Sequence, residues 1–264
     1  AVTRGVDPNV KLKDSVIPWL GKVPAHWEIV AVGAAMALIQ TGPFGSQLHS
    51  YEYVSGGTPV INPSHMLNGR IVPAVEITVA EAKGRELERH KLRSGDVVMA
   101  RRDELGRCAV VTPAEGGWIC GTGSLLLRCK PTLIPAYLQT VLSSRGVTDL
   151  LGTFSIGATM ANINAGMVAR QRIPIPPLEE QQRIVDFIAA ENQKSLAVTD
   201  SLNREITLLR EFRTRLIADV VTGNLDVREF VKLLPEEFVT PVPMDSTEIE
   251  LEDQTDENPE EAEA

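Results

Sequence analysis

From Leu178 to Thr222 the chain contains neither proline nor glycine, and Leu202, Ile206, Leu209, Leu216 and Val220 recur at spacings of three and four, with Arg213 filling one gap. That period places them on one stripe of an α-helix, the pattern of a coiled-coil seam. At 1.5 Å per residue the segment makes a rod of roughly 67 Å, ended by Gly223-Asn224 in the C-cap position. A single apolar seam that long cannot be buried against a small domain, so a second helix of comparable length is implied. Proline at 174, 176 and 177 holds the chain extended just before Leu178, and Glu179 and Glu180 follow in the first turn, where negative charge suits the helix dipole.

The pattern before the rod is different. Short β-like runs at 58–62, 70–79, 95–102, 108–113 and 118–129 alternate with turn residues. Helices are predicted at 31–39 and at 135–151, where Pro135 suits a first turn and Tyr137, Leu138, Val141 and Leu142 share a face. Residues 11–27 have no sustained period and read as an extended lead-in pinned by Trp19 and Trp27. The opening VTRGVDP resembles the later VTGNLDV at Val221–Val227, sharing Val, Thr and Asp in register; the first residues are therefore expected to end an earlier helix of the same kind. The expected class is α+β: a helix end and linker at 1–27, a mixed, sheet-rich domain at 28–177, a long pairing helix at 178–225 and an acidic tail at 226–264.

Charge changes the picture once it is divided. The net charge is −9, but residues 235–264 hold twelve acids and no Lys or Arg, leaving 23 acids against 26 bases in residues 1–234, a body of about +3. The tail lacks the apolar residues that would offset the entropy of ordering it. The mildly basic body permits DNA binding. No apolar run approaches the roughly 20 residues of a bilayer span, and no basic-then-apolar leader opens the chain, so no membrane partner and a cytoplasmic location are expected. Cys108, Cys120 and Cys129 match neither a zinc set nor a redox pair and read as small buried hydrophobes.

Catalytic chemistry is sparse. His26, His49, His65 and His90 are scattered without ligand spacing. Gly121–Ser124 (GTGS) lacks a full phosphate-loop pattern and reads as a strand turn. Glu81–Lys83 (EAK) has no preceding Pro-Asp pair that would complete a metal-dependent nuclease motif, which favours a solvated turn. Asn62–His65 (NPSH) lacks the second proline and the aromatic of an amino-methyltransferase motif, and no S-adenosylmethionine loop is present. Neither catalytic residues, metal nor cofactor is expected. What recurs instead is polar side chains on loops: Ser46, Gln47 and His49; Asn62, Ser64, His65, Asn68 and Arg70; Arg101, Arg102 and Arg107; and Thr159, Asn162 and Asn164. Asn, Gln and Arg can make paired contacts with adenine and guanine edges, and Ser and Thr suit phosphates.

GPFGS at 42–46, LRSGDVVMARRDELGRCAVV at 92–111 and IPIPPLEEQQRIVDFI at 173–188, followed by a long helix ending in VTGNLDVRE, resemble the DNA specificity subunit of a Type I restriction–modification system. The resemblance implies one target recognition domain plus one conserved helix, about half of such a subunit. It further implies a non-catalytic reader of half of a split target in double-stranded DNA. Methyltransferase subunits would dock on it, the restriction subunit would join through them, and a second half-subunit or a missing N-terminal half would complete it. The alternative is a coiled-coil assembly scaffold with a protein-binding head.

Overall fold

The computed structural model describes residues 1–102, 105–153 and 163–228. The chain divides into two compact units, Ala1–Ala197 and Val198–Ala264. In the first, β1 (Leu12–Asp14) and β2 (Lys22–Pro24) form a hairpin, followed by β3 (Glu28–Ala31), a single turn α1 (Val32–Ala35) and β4 (Met36–Thr41). Then come β5 (Tyr53–Val54), β6 (Thr58–Ile61), β7 (Met66–Leu67), β8 (Arg70–Ile71), β9 (Thr78–Val79) and α2 (Glu81–Glu86). The core strands β10 (Asp96–Ala100), β11 (Cys108–Val110), β12 (Ile119–Cys120) and β13 (Ser124–Cys129) lead to α3 (Pro135–Leu142) and α4 (Arg145–Thr153). After α5 (Ala165–Arg170) and β14 (Arg172–Ile175), α6 runs from Leu178 to Val221.

One antiparallel sheet has the order β11-β10-β13-β4, and a second, mixed sheet the order β12-β6-β9-β5. Every residue of β10 is buried, and the strand's period of two divides its side chains between two cores. Val97 and Met99 join Leu125, Leu127 and the α3 face of Tyr137, Leu138, Val141 and Leu142. Val98 and Ala100 join Leu126, Ile61, Met66 and Cys120. The register Val97↔Leu127, Val98↔Leu126, Met99↔Leu125 fixes this division, because a slip of one residue would exchange the two faces. At the start of the strand, Asp96, 1% exposed, accepts two bonds of 2.7 Å from Arg128 and one from the Arg93 amide.

The two sheets meet backbone to backbone. A Cβ on Gly42 would lie 1.8 Å from the Gly121 carbonyl oxygen, and one on Gly121 would lie 2.1 Å from Asn62 Oδ1 and 2.7 Å from the Ile61 oxygen. Hydrogen bonds reinforce the approach: the Gly42 amide donates to Ser124 O at 3.0 Å, the Gly121 amide to Ile61 O at 2.9 Å, and Ser124 Oγ to Ile61 O at 2.9 Å.

A second joint lies at the start of α6. Pro174 sits within β14, which among the described residues pairs only with β3 and so leaves an edge where a missing amide is tolerated. Tyr137 Oη donates to its carbonyl. Gln181, fully buried, accepts from the Ile134 amide at 2.8 Å and donates to Thr132 O and Pro176 O at 3.0 and 2.9 Å. With Ile184 buried one turn later, this holds the first turns of α6 against α3 and the lead-in, where Glu180 pairs with His26 at 2.8 Å.

Several local expectations need correction. The helix read at 31–39 is helical only over Val32–Ala35; Met36–Thr41 is extended because it pairs with β13 and closes the sheet, a tertiary override of weak propensity. The run 70–79 is not one strand but β8 and β9 in different sheets, with Pro73 between them. The helix read at 135–151 breaks at Ser143-Ser144, whose hydroxyls bond to Gly106 O and Val141 O and compete with helical pairing. Glu81–Lys83 opens α2 instead of a turn, and Lys83 is engaged with Glu52 and Glu86. Cys108 and Cys120 are buried and Cys129 is partly buried; burial pushes the Cys108 thiol up to about 11.

In the second unit α6 is solvent-exposed at Leu202, Ile206, Leu209, Phe212, Leu216 and Ile217, and half-buried at Val220. After the helix, Asp226 accepts from the Arg228 amide at 3.0 Å, the same Asp-centred turn that Asp7 makes with the Asn9 amide at 2.9 Å. The aspartates of the two similar heptapeptides thus make the same local hydrogen bond.

Two substitutions test the joints. Gly42→Ala is expected to cost about 2 kcal/mol in urea unfolding, since the new methyl meets backbone that cannot yield, whereas Gly152→Ala, which meets nothing, should cost nothing. Gln181→Leu, of similar size, should cost about 3 kcal/mol by stranding three buried backbone groups; a loss under about 1 kcal/mol would show that the joint is not held as described.

Candidate nucleic-acid interface

Strand polarity gathers the polar loops. The C-terminal ends of β4, β6, β10 and β12 and the N-terminal ends of β11 and β13 lie together at the glycine contact, and the loops that leave β4, β6 and β10 carry candidate residues. Loop 42–51 leaves β4, loop 62–65 leaves β6, and loop 101–107 joins β10 to β11. The Arg101 amide donates to Gly123 O at 3.0 Å, and the Ile163 amide donates to Arg101 O at 2.9 Å, which brings Asn164 to the same end. Arg107 reaches Pro63 O at 3.3 Å. The β7–β8 hairpin adjoins them through Gln139, whose Nε2 donates to both Gly69 O and Cys108 O.

Within this cluster the candidates differ in what they present. Ser46, His49, Ser64, Asn68 and Arg70 are exposed. His49 stacks on Tyr51 with ring centroids 5.1 Å apart, and Glu52, tied to Lys83, holds the His49 amide at 2.7 Å. Gln47 is half-buried and turns its side chain back to the Phe44 amide. Asn62 is half-buried, and its side chain hydrogen bonds with Tyr53. His65 turns inward: it is 7% exposed, its Nδ1 lies 3.1 Å from Val60 O and 3.2 Å from the Asn62 amide, and burial pushes its pKa down. Its ring braces the loop from behind. Asn68 adopts φ +50° at the hairpin tip, a conformation Asn tolerates better than most residues. Asn164 caps α5, accepting from the Met167 amide at 2.9 Å. Thr159 and Asn162 lie outside the described residues.

Arg101 and Arg102 line a cleft of about 490 Å³ together with Thr41, Phe44, Asn164, Ala165 and Gly166. Burial and the neighbouring Arg102 charge both push the Arg101 guanidinium down. Arg102 makes no hydrogen bond or ion pair among the described residues. The Arg102 guanidinium beside an amide and a hydroxyl, with no carboxylate among the described lining residues, suits an anionic ligand that also offers hydrogen-bonding edges. At the other end of the same strands a cleft of about 450 Å³ is walled by the satisfied Asp96–Arg128 pair. Among the described residues no group of His, Cys, Asp and Glu is placed to hold a metal ion.

Sequence reasoning missed Thr41, Phe44, Ala165 and Gly166. Phe44 had a legible signal, a large aromatic between proline and glycine in an otherwise polar loop, but a search for hydrogen-bonding side chains passes over it.

Residues 36–208 match the family described as Type I restriction modification DNA specificity domain. That span begins at the first residue of β4 and takes in the glycine contact, the loop cluster and the Gln181 joint. The chain is 24% identical over 216 residues to the Type I restriction enzyme StySPI specificity subunit of Salmonella potsdam, and equally to the EcoKI specificity subunit of Escherichia coli strain K12. Each alignment covers 78% of this chain and 44% of the relative, so the chain spans under half the length of these curated relatives. A chain in a solved structure on complex assembly and conformational transition of the type I R-M system shares the fold, with a TM-score of 0.59, 22% identity, and coverage of 76% of this chain and 47% of that one. A family match over more than half of the 264 residues, carried by the same elements that build the loop cluster, decides the matter: the chain belongs to the Type I restriction modification DNA specificity domain family.

Proposed function

We propose that the chain is a non-catalytic DNA reader that recognises one half of a split target in double-stranded DNA and positions a methyltransferase subunit there, with a restriction subunit joining through the methyltransferase. The observation that carries this reading is the gathering of Arg102, Arg101, Asn164 and the exposed polar residues of loops 42–51 and 62–70 at one end of two sheets. These are base-edge and phosphate chemistries on a scaffold fixed by backbone contacts. The relatives are specificity subunits of Type I restriction enzymes, which supports the role. In this reading residues 28–177 are the recognition domain, the chain works in the cytoplasm, and 226–264 is an acidic extension.

The exposed stripe of the second unit supports the other half of the proposal. Leu202, Ile206, Leu209 and Leu216 are each at least 41% exposed. A helix with that much apolar surface in water is marginal without a partner. The partner is a second such helix, supplied either by another copy of the chain or by the other half of a longer subunit, and it would carry the second reading head.

Assembled with its methyltransferase, the chain should enrich one half-site from a random duplex pool. Its affinity should fall steeply as salt rises, because phosphate contacts release counterions. Arg102→Ala should weaken cognate binding roughly ten-fold, within the range for one lost guanidinium contact. Enrichment of no sequence would contradict the reading. For the helix, Leu209→Asp combined with Leu216→Asp should lower helicity in circular dichroism and remove concentration-dependent association in sedimentation equilibrium; unchanged behaviour in both would leave the stripe without a pairing role.

A further inference from the structure

Phe44 is 59% exposed and belongs to none of the hydrophobic cores, yet its loop is firmly held. Before it, Gly42 is packed against Gly121 and Pro43 is buried. Behind it, Gly45 turns the chain at φ +59°, Gln47 bonds the Phe44 amide, and Leu48 is anchored in the third core. A phenyl ring kept in water on a pinned loop does nothing for the fold. It lines the same cleft as the half-buried Arg102, which makes no hydrogen bond or ion pair among the described residues. A planar apolar ring sharing a cleft with a cation matches one kind of surface in particular, a nucleobase next to its phosphate. An acidic protein surface would satisfy the arginine and leave the ring without a counterpart.

We propose that Phe44 is a specificity-determining wedge that packs its ring against a base step of the half-site while Arg102 holds the adjacent phosphate. The inference rests on the DNA-reading proposal and adds to it a mode of reading that uses no hydrogen bond. Proline before the ring and the glycine contact before that keep the wedge from folding back, so its position is set before DNA arrives. Selectivity then comes from which base step yields to a flat apolar group, and pyrimidine–purine steps unstack most readily.

The test uses the full chain assembled with its cognate methyltransferase and duplexes carrying 2-aminopurine at successive half-site positions. Wild type should raise the fluorescence at one or two neighbouring positions on binding. Phe44→Ala should abolish that rise, weaken cognate binding roughly ten-fold, as expected for one lost aromatic–base contact, and flatten discrimination at those positions. Its salt dependence should be unchanged, because no phosphate contact is removed, whereas Arg102→Ala should reduce the salt slope by about one. Phe44→Trp should keep the fluorescence signal, and thermal melting of each variant should match wild type because the ring is outside every core. If Phe44→Ala binds and discriminates like wild type, the wedge is wrong while DNA reading stands. If it instead loses the methyltransferase and keeps DNA selectivity, the ring is a protein contact and the wedge is equally wrong. A wild-type complex without selectivity would overturn the reading on which the wedge rests.

Discussion

The fold depends on two carbonyl groups and two missing side chains. At Gly42 and Gly121 the sheets approach so closely that backbone oxygen occupies the space a methyl would need. The strands on either side contribute little by themselves: β12 has two residues, β6 four, and short strands are marginal alone. Joined at the glycines they become one body with a common end, and the loops that leave that end cannot drift apart. Asn62, Arg101, Arg107 and Asn164 are drawn together by bonds to or beside that contact, although they are far apart in sequence.

The Gln181 joint plays the corresponding part for the helix. A glutamine amide can satisfy an N–H and two carbonyls at once, and here the three belong to the loop before α3 and to the proline-rich exit from β14. The proline segment alone would be stiff but loosely placed. The buried amide turns stiffness into position, so the residues that leave β14 and those that start the helix form one packed unit. In the proposed function, measuring the spacing of two half-sites needs such a joint.

How much of this was legible follows from how local each signal is. The helix Leu178–Val221 was plain because proline and glycine are absent and a seven-residue period persists for many turns. Strand β10 was plain because Val97 and Val98 are β-branched and, with Met99, form an apolar run bounded by turn residues. Met36–Thr41 was not, since Ala, Met and Leu favour a helix and only the distant partner β13 makes them a strand. The glycine contact was invisible for the same reason: GPFG and GTGS each look like a turn, and nothing in either says that they touch. At the site, residue type identified arginines and amides that converge, but it could not say that His65 faces inward or that an apolar ring, Phe44, shares their cleft. Burial and direction depend on neighbours far along the chain.

The central claim is that one end of the recognition domain, and not the helix or the opposite cleft, meets DNA. Amide hydrogen exchange on the chain assembled with its methyltransferase, compared with and without a cognate duplex, addresses it directly. Protection on adding DNA is expected in residues 42–51, 62–70, 101–107 and 163–165, with little change at 93–96 and 128–135, the far ends of the same strands. Protection confined to those far ends or to α6, with the loop cluster unchanged, would contradict it.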